Sequence, residues 1–189
     1  VFTSDNGPWA EMPPRMLTDP RVVRTDAGTA GLLRGSKAST WEGGVRVPFI
    51  ARWPGRIPAG IVTPAVAAAV DLLPTIARAI GAPLPEGRTL DGRDLLPALA
   101  GTDRAGRPEF LYLNGVALEA ARDGRWKLKL NRQADGKTAV ELYDLVNDAG
   151  ERWNVASEQP DVVRRLSERM LAYSRETGAR IPDAALDRR

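Results

Sequence analysis

The chain opens on Val1-Phe2-Thr3-Ser4, an apolar extended run that stops at Asp5-Asn6-Gly7 and reads as a strand entered midway. Residues 8–33 show no sustained period and are rich in Pro, Gly and polar side chains, which predicts a long loop of a kind that is usually functional or mobile. Val45 to Trp53, set between Gly43-Gly44 and Pro54-Gly55, predicts a second strand, with Pro48 at its start or on a sheet edge. Asp71-Leu72-Leu73-Pro74, then Thr75 to Ile80 and Gly81, predicts a helix with an Asp cap, Pro in the first turn and a Gly stop. Its apolar face would carry Leu73, Ile76, Ala77 and Ile80. Asp94-Leu95-Leu96-Pro97 through Gly101 repeats this grammar after a Pro/Gly-rich connector, residues 82–92.

From Glu109 the period changes. Phe110 to Leu113, Val116 to Ala121, Trp126 to Leu130 and Val140 to Leu145 predict short strands, with Asp123-Gly124 as a hairpin turn. In Trp126-Lys127-Leu128-Lys129-Leu130 the apolar residues alternate strictly with Lys, which predicts one buried face, including Trp126, and one wet face. Val163, Leu166, Met170 and Tyr173 recur at spacings of three and four in a helix from about Pro160 to Thr177, stopped by Gly178. Residues 109–189 are thus expected to form a small antiparallel sheet with a helix lying against it.

Composition narrows the chemistry. The 189 residues include no Cys and no His, which excludes thiol nucleophiles, thiolate zinc sites, Ser-His relays and imidazole bases. Carboxylates, amides, hydroxyls, Lys and Arg remain, and they suit hard cations and anionic substrates. The balance of 27 basic against 24 acidic residues is spread along the chain, so no nucleic-acid footprint is expected. No run approaches the roughly 18 to 20 apolar residues of a membrane span. The start has neither a signal-peptide pattern nor an initiator Met, and the chain is expected to be the downstream portion of a longer protein.

Two segments carry candidate chemistry. Asp5 and Asn6 follow a strand, where ligands gather in open α/β sheets, and their adjacent oxygens suit Ca²⁺ or Mg²⁺. Asp-Asn-Gly equally suits a tight corner, and from these three residues alone both readings stand. The stretch from Leu33 to Pro48 combines Lys37, Arg46, hydroxyls and close-approach glycines, a cradle for a tetrahedral oxyanion or else a Gly-rich surface turn. Glu42 and Arg46, four apart, read as orienting residues or a local ion pair, and Trp41 and Trp53 as packing.

Taken in order, Phe2-Thr3-Ser4-Asp5-Asn6-Gly7-Pro8, Gly31-Leu32-Leu33-Arg34-Gly35-Ser36-Lys37, Trp41-Glu42-Gly43-Gly44-Val45-Arg46-Val47-Pro48, Trp53-Pro54-Gly55 and Asp71-Leu72-Leu73-Pro74-Thr75 resemble the downstream half of a sulfatase of the arylsulfatase type. Leu90-Asp91-Gly92, Arg122-Asp123-Gly124-Arg125-Trp126-Lys127-Leu128 and Glu141-Leu142-Tyr143-Asp144-Leu145, with Glu151 and Asn154, resemble that family's C-terminal subdomain. The resemblance runs from Val1 to about Leu171 and implies an α/β, alkaline-phosphatase-like fold: 1–108 as the downstream part of the main domain, 109–189 as the C-terminal subdomain. It implies a Ca²⁺ site with Asp5 and Asn6 among its ligands, and a catalytic Lys37 that contacts a sulfate oxygen.

The reaction implied is hydrolysis of sulfate esters, of a sulfated small molecule or a sulfated glycan, by a formylglycine made within a Cys/Ser-x-Pro-Ser-Arg motif. That motif is absent from these residues and would lie upstream, so the chain by itself is expected to be inactive, poorly soluble and apolar on its surface. Export to the periplasm or the exterior is suggested by the resemblance alone. Two alternatives share the pattern: a phosphatase or phosphonate monoester hydrolase of the same superfamily, and a non-catalytic module that binds sulfated glycans.

Overall fold

A computed structural model describes residues 1–10, 28–182 and 186. The part of the expected 8–33 loop that spans 11–27 lies outside the described residues. In chain order the elements are β1 (Phe2–Thr3), α1 (Glu42–Val45), β2 (Phe49–Ile50), α2 (Leu72–Ile80), α3 (Leu96–Leu99), β3 (Glu109–Asn114), β4 (Ala117–Asp123), β5 (Trp126–Arg132), β6 (Thr138–Asp144) and α4 (Pro160–Thr177). None of the described helices is long and apolar enough to cross a membrane.

The period-two stretch folds as an antiparallel meander, β3-β4-β5-β6, in sequence order. Gly124, with φ of 56°, turns β4 into β5, so Asp123 sits opposite Trp126 and Arg122 opposite Lys127. Along β5 and β6 the register pairs Lys127 with Tyr143 and Leu128 with Leu142. One face of the sheet presents Leu118, Leu128, Leu130 and Leu142, and α4 buries Val163, Leu166 and Met170 among them. That stripe has the three- and four-residue spacing of an amphipathic helix, and Gly178, with φ of 75°, ends it in the left-handed region. Trp126 is half-buried at the edge of this core.

The other face is not wet. Lys127 and Lys129 are 0% and 4% exposed, against the expectation drawn from their alternation with apolar residues. Alternation reports that a strand has two faces and says nothing of what covers the second. Here residues 34–44 lie over it: Lys127 pairs with Glu42 of that segment and with Glu151, while Lys129 pairs with Glu119 of the neighbouring strand β4, so both lysines are buried beside carboxylates. Contacts accordingly join Thr3–Pro48 to Glu109–Arg189 in one unit and Val1–Phe2 to Phe49–Pro108 in another.

In the other unit, Asp71 is 0% exposed and its carboxylate accepts the backbone N–H groups of Ala68 and Arg93 and the guanidinium of Arg107. It therefore closes a 3₁₀ turn, Ala69–Asp71, and ties down the connector, in place of the expected side-chain cap on α2. Thr75, inside α2, donates its hydroxyl to the Asp71 carbonyl and accepts the Leu95 N–H, which ties the start of α3 to α2. The apolar face of α2 is open, with Leu73, Ile76 and Ile80 at 53%, 54% and 73% exposure. The expected strand Val45 to Trp53 shrinks to Phe49–Ile50, which pairs with β1, because Glu42–Val45 forms a single helical turn instead. β1 itself is exposed along its short length.

Candidate active site

The turn after β1 and the glycine turn of α1 are stacked backbone to backbone. The Gly7 N–H donates to the Gly44 carbonyl at 2.9 Å and the Lys37 N–H to the Pro8 carbonyl at 2.8 Å. A Cβ on Gly7 would lie 1.9 Å from the Gly43 carbonyl oxygen, so the approach is possible only with no side chain between the two turns. Gly43 and Gly44 are equally hemmed in, by the Arg34 and Gly35 carbonyls and by those of Ser36 and Ser39. A compact knot of main chain results, and it holds residues 5–9 against residues 34–46.

This knot brings three sequence-predicted residues to one place. Asp5, Asn6 and Lys37 line a cavity of about 750 Å³, together with Trp9 and Arg46. Asp5 is exposed, Asn6 and Lys37 half-buried, and the Lys37 ammonium stands 5.1 Å from the centre of the Trp9 ring. Ala38 follows with φ of 71°, a left-handed conformation that a residue with a Cβ adopts at a cost. Ser4 donates from its hydroxyl to the Asn6 carbonyl at 3.0 Å, which shapes the corner. Among the described residues the ionisable lining is two cations, Lys37 and Arg46, and one carboxylate, Asp5, an environment that favours an anion.

Asp5 and Asn6 supply two oxygen donors of the right chemistry, where Ca²⁺ takes six to eight. Among the described residues no group of three or more His, Cys, Asp or Glu is placed to hold a metal, so Asp5 and Asn6 would be only part of an ion's ligand set.

Beneath the knot lies a group of charges that sequence reasoning passed over. Lys127, Glu42 and Glu151 are 0%, 2% and 0% exposed. The Lys127 ammonium donates to the Thr40 carbonyl at 2.8 Å and to Glu42 Oε1 at 2.9 Å, and meets Glu151 Oε1 at 2.8 Å as an ion contact outside hydrogen-bond geometry. Glu151 Oε2 accepts the backbone N–H of Glu42 at 2.7 Å, and Arg122 approaches Glu42 at 3.9 Å. Burial pushes the Glu151 carboxyl above its ordinary value, against the pull of Lys127. The Tyr112 ring, 4.5 Å from the ammonium, closes one side, and burial with the charge of Glu42 pushes its phenol upward.

Glu42 thus pairs with Lys127 and not with Arg46, whose backbone N–H merely continues the turn by donating to the Glu42 carbonyl at 2.8 Å. Arg34 completes the support: its guanidinium donates to the Tyr143 hydroxyl and the Glu151 carbonyl and lies 3.7 Å from the centre of the Trp41 ring. The signal available in the sequence was the pair of unspent Lys residues in an otherwise apolar strand.

Residues 1–82 match the sequence model of the Sulfatase family. Human arylsulfatase A is 38% identical over 198 residues, covering 90% of this chain and 36% of that protein. Human steryl-sulfatase is 47% identical over 61% of this chain and 20% of its own length. N-acetylgalactosamine-6-O-sulfatase of Bacteroides thetaiotaomicron is 32% identical over 89% of this chain and 34% of its own.

Among solved structures, a Bacteroides thetaiotaomicron sulfatase studied for metabolism of multiple glycosaminoglycans superposes with a TM-score of 0.69 at 31% identity, covering 91% of this chain and 38% of that one. Ps i-CgsB in complex with k-i-k-neocarrahexaose gives 0.72 at 27% identity, over 96% and 37%. The chain belongs to the sulfatase family, and its fold is mixed α/β of the alkaline-phosphatase-like kind. It spans about a third of the length of human arylsulfatase A.

Proposed function

We propose that this chain contributes the metal-binding and anion-binding part of an enzyme that hydrolyses sulfate esters, with the nucleophile supplied by the part of the relatives' fold that these residues do not span. The convergence of Asp5, Asn6 and Lys37 on one cavity carries this reading. Cleavage of a sulfate ester moves negative charge onto the sulfuryl and leaving-group oxygens, so fixed positive charge aimed there stabilises the transition state more than the ground state. Asp5 and Asn6 would hold Ca²⁺, which when bound supplies Lewis-acid charge to such an oxygen. Lys37 donates to another, and the backbone bond at its N–H fixes where its side chain starts.

Relatives named for aryl, steryl and N-acetylgalactosamine sulfates support a sulfated small molecule or glycan as substrate. The nucleophile would be a formylglycine outside these residues. The test is hydrolysis of an aryl sulfate, an aryl phosphate and an aryl phosphonate monoester by the full-length enzyme and its Lys37→Ala variant. The proposal expects the sulfate to be preferred and kcat to fall by roughly 10² to 10³ in the variant. Preference for phosphate or phosphonate assigns a different reaction to the same fold. No turnover with retained binding of sulfated glycans makes the protein a binding module.

A further inference from the structure

We propose that the buried Lys127, with Glu42 and Glu151, is a positioning device for the cavity: it clamps the glycine turn from below and so sets where Lys37 and the Asp5–Asn6 pair stand. The inference rests on the reading of that cavity as a sulfatase site. Its first support is an energetic mismatch. Ions taken fully out of water are costly, and well-packed apolar side chains of similar volume usually hold a fold as well or better. Lys127, Glu42 and Glu151 are nevertheless fully enclosed, and Arg122 approaches Glu42 from the side. What charged groups provide and apolar ones do not is direction, because each oxygen must lie where the ammonium or an N–H points.

The second support is connectivity. Lys127 grips the Thr40 carbonyl and the Glu42 carboxylate, on either side of Trp41, while Glu151 takes the Glu42 N–H. The start of the turn is thereby fixed to β5 and to the segment after β6. Gly43 and Gly44 come next, and the Gly44 carbonyl receives the Gly7 N–H, one residue past Asn6. From the buried ammonium to the cavity the path runs through main chain and short contacts, with no flexible side chain in between.

The third support is strain. Among the described residues the non-glycine positions with positive φ are Ala38, at 71°, and Glu151, at 52°. Ala38 immediately follows Lys37, and Glu151 is a member of the clamp. Backbone held in unfavourable regions persists only where the surroundings over-determine it, and such residues gather at functional sites. Here the two lie at opposite ends of the same support.

The experiment uses the full-length enzyme with two changes that keep the volume and remove the device in different ways. One is the charge-free set Lys127→Met with Glu42→Gln and Glu151→Gln, and the other is Lys127→Arg, which keeps the charge and changes its reach. Melting curves establish which is folded; calorimetric titration with Ca²⁺ and steady-state kinetics on an aryl sulfate are then compared with wild type. In a folded variant the expected result is a kcat lower by about 10- to 100-fold and a calcium affinity reduced within the same range, as when outer partners of a metal site are lost. A folded variant with wild-type kcat and calcium affinity overturns the inference, since a purely structural clamp is satisfied once the fold is restored. If wild type leaves the aryl sulfate intact while the variants still lose calcium affinity, the clamp stands and the sulfatase reading falls.

Discussion

Replacing Gly7 by Ala tests whether the stacked turns form the site. The added Cβ would stand 1.9 Å from the Gly43 carbonyl oxygen, 2.9 Å from that carbonyl carbon and 3.1 Å from the Gly44 carbonyl carbon, and all three atoms are backbone. No side chain is available to rotate away. Reaching ordinary contact at 3.4 Å from 1.9 Å opens the turns by about 1.5 Å, which takes the Gly7–Gly44 hydrogen bond from 2.9 Å past any useful length. Overpacking costs about 1–3 kcal/mol and an unmade buried hydrogen bond about 1–3 more, so the loss is on the order of 2–6 kcal/mol. At the site, a displacement of roughly an ångström in substrate-positioning groups costs about 10² in rate. The assay is kcat of the full-length Gly7→Ala enzyme on an aryl sulfate, with its melting temperature. Both fall; a kcat within twofold of wild type at an unchanged melting temperature refutes the packing described here.

Three further outcomes are expected. Lys127→Met alone leaves two buried carboxylates short of their cation and destabilises the full-length protein by about 3–5 kcal/mol in denaturant titration, and a loss below about 1 kcal/mol contradicts the ion contacts. Burial raises the Glu119 carboxyl, but the Thr40 hydroxyl at 2.6 Å and Lys129 at 3.1 Å outweigh it and hold it below its ordinary 4.5. Its contribution is therefore complete above that value and lost as pH falls through the depressed one, so Glu119→Gln flattens the acid limb of a stability–pH curve; an unaltered limb removes Glu119 from the loop's anchorage. The apolar face of α2, with Ile76 and Ile80 at 54% and 73% exposure, makes the chain self-associate when produced alone, and Ile76→Glu with Ile80→Glu reduces that association in sedimentation. A monodisperse monomer before any substitution speaks against it.

The sheet and long helix were legible because each depends on a local rule. Strict alternation in Trp126 to Leu130 marks a strand, Asp123-Gly124 a hairpin, and Val163, Leu166 and Met170 a helix stripe that Gly178 ends. Asp5, Asn6 and Lys37 were legible as motif residues, and their meeting in one cavity is a tertiary fact. What escaped was everything set by a distant partner. Lys127 looks solvated until Glu42, some 85 residues away, is brought to it. Asp71 looks like a helix cap until Arg93 and Arg107 arrive. Gly43-Gly44 looks like a strand boundary, yet hydrogen bonds from neighbouring turns hold it in a helical one.

The central claim is that Asp5 and Asn6 share a divalent cation at the mouth of the cavity that Lys37 lines. A crystal structure of the full-length enzyme grown with calcium tests it most directly. The account predicts an ion bound by the Asp5 carboxylate and the Asn6 side-chain amide oxygen at about 2.3–2.6 Å, with the Lys37 ammonium facing the same space. Calcium bound elsewhere, with Asp5 and Asn6 both directed into solvent, would contradict it.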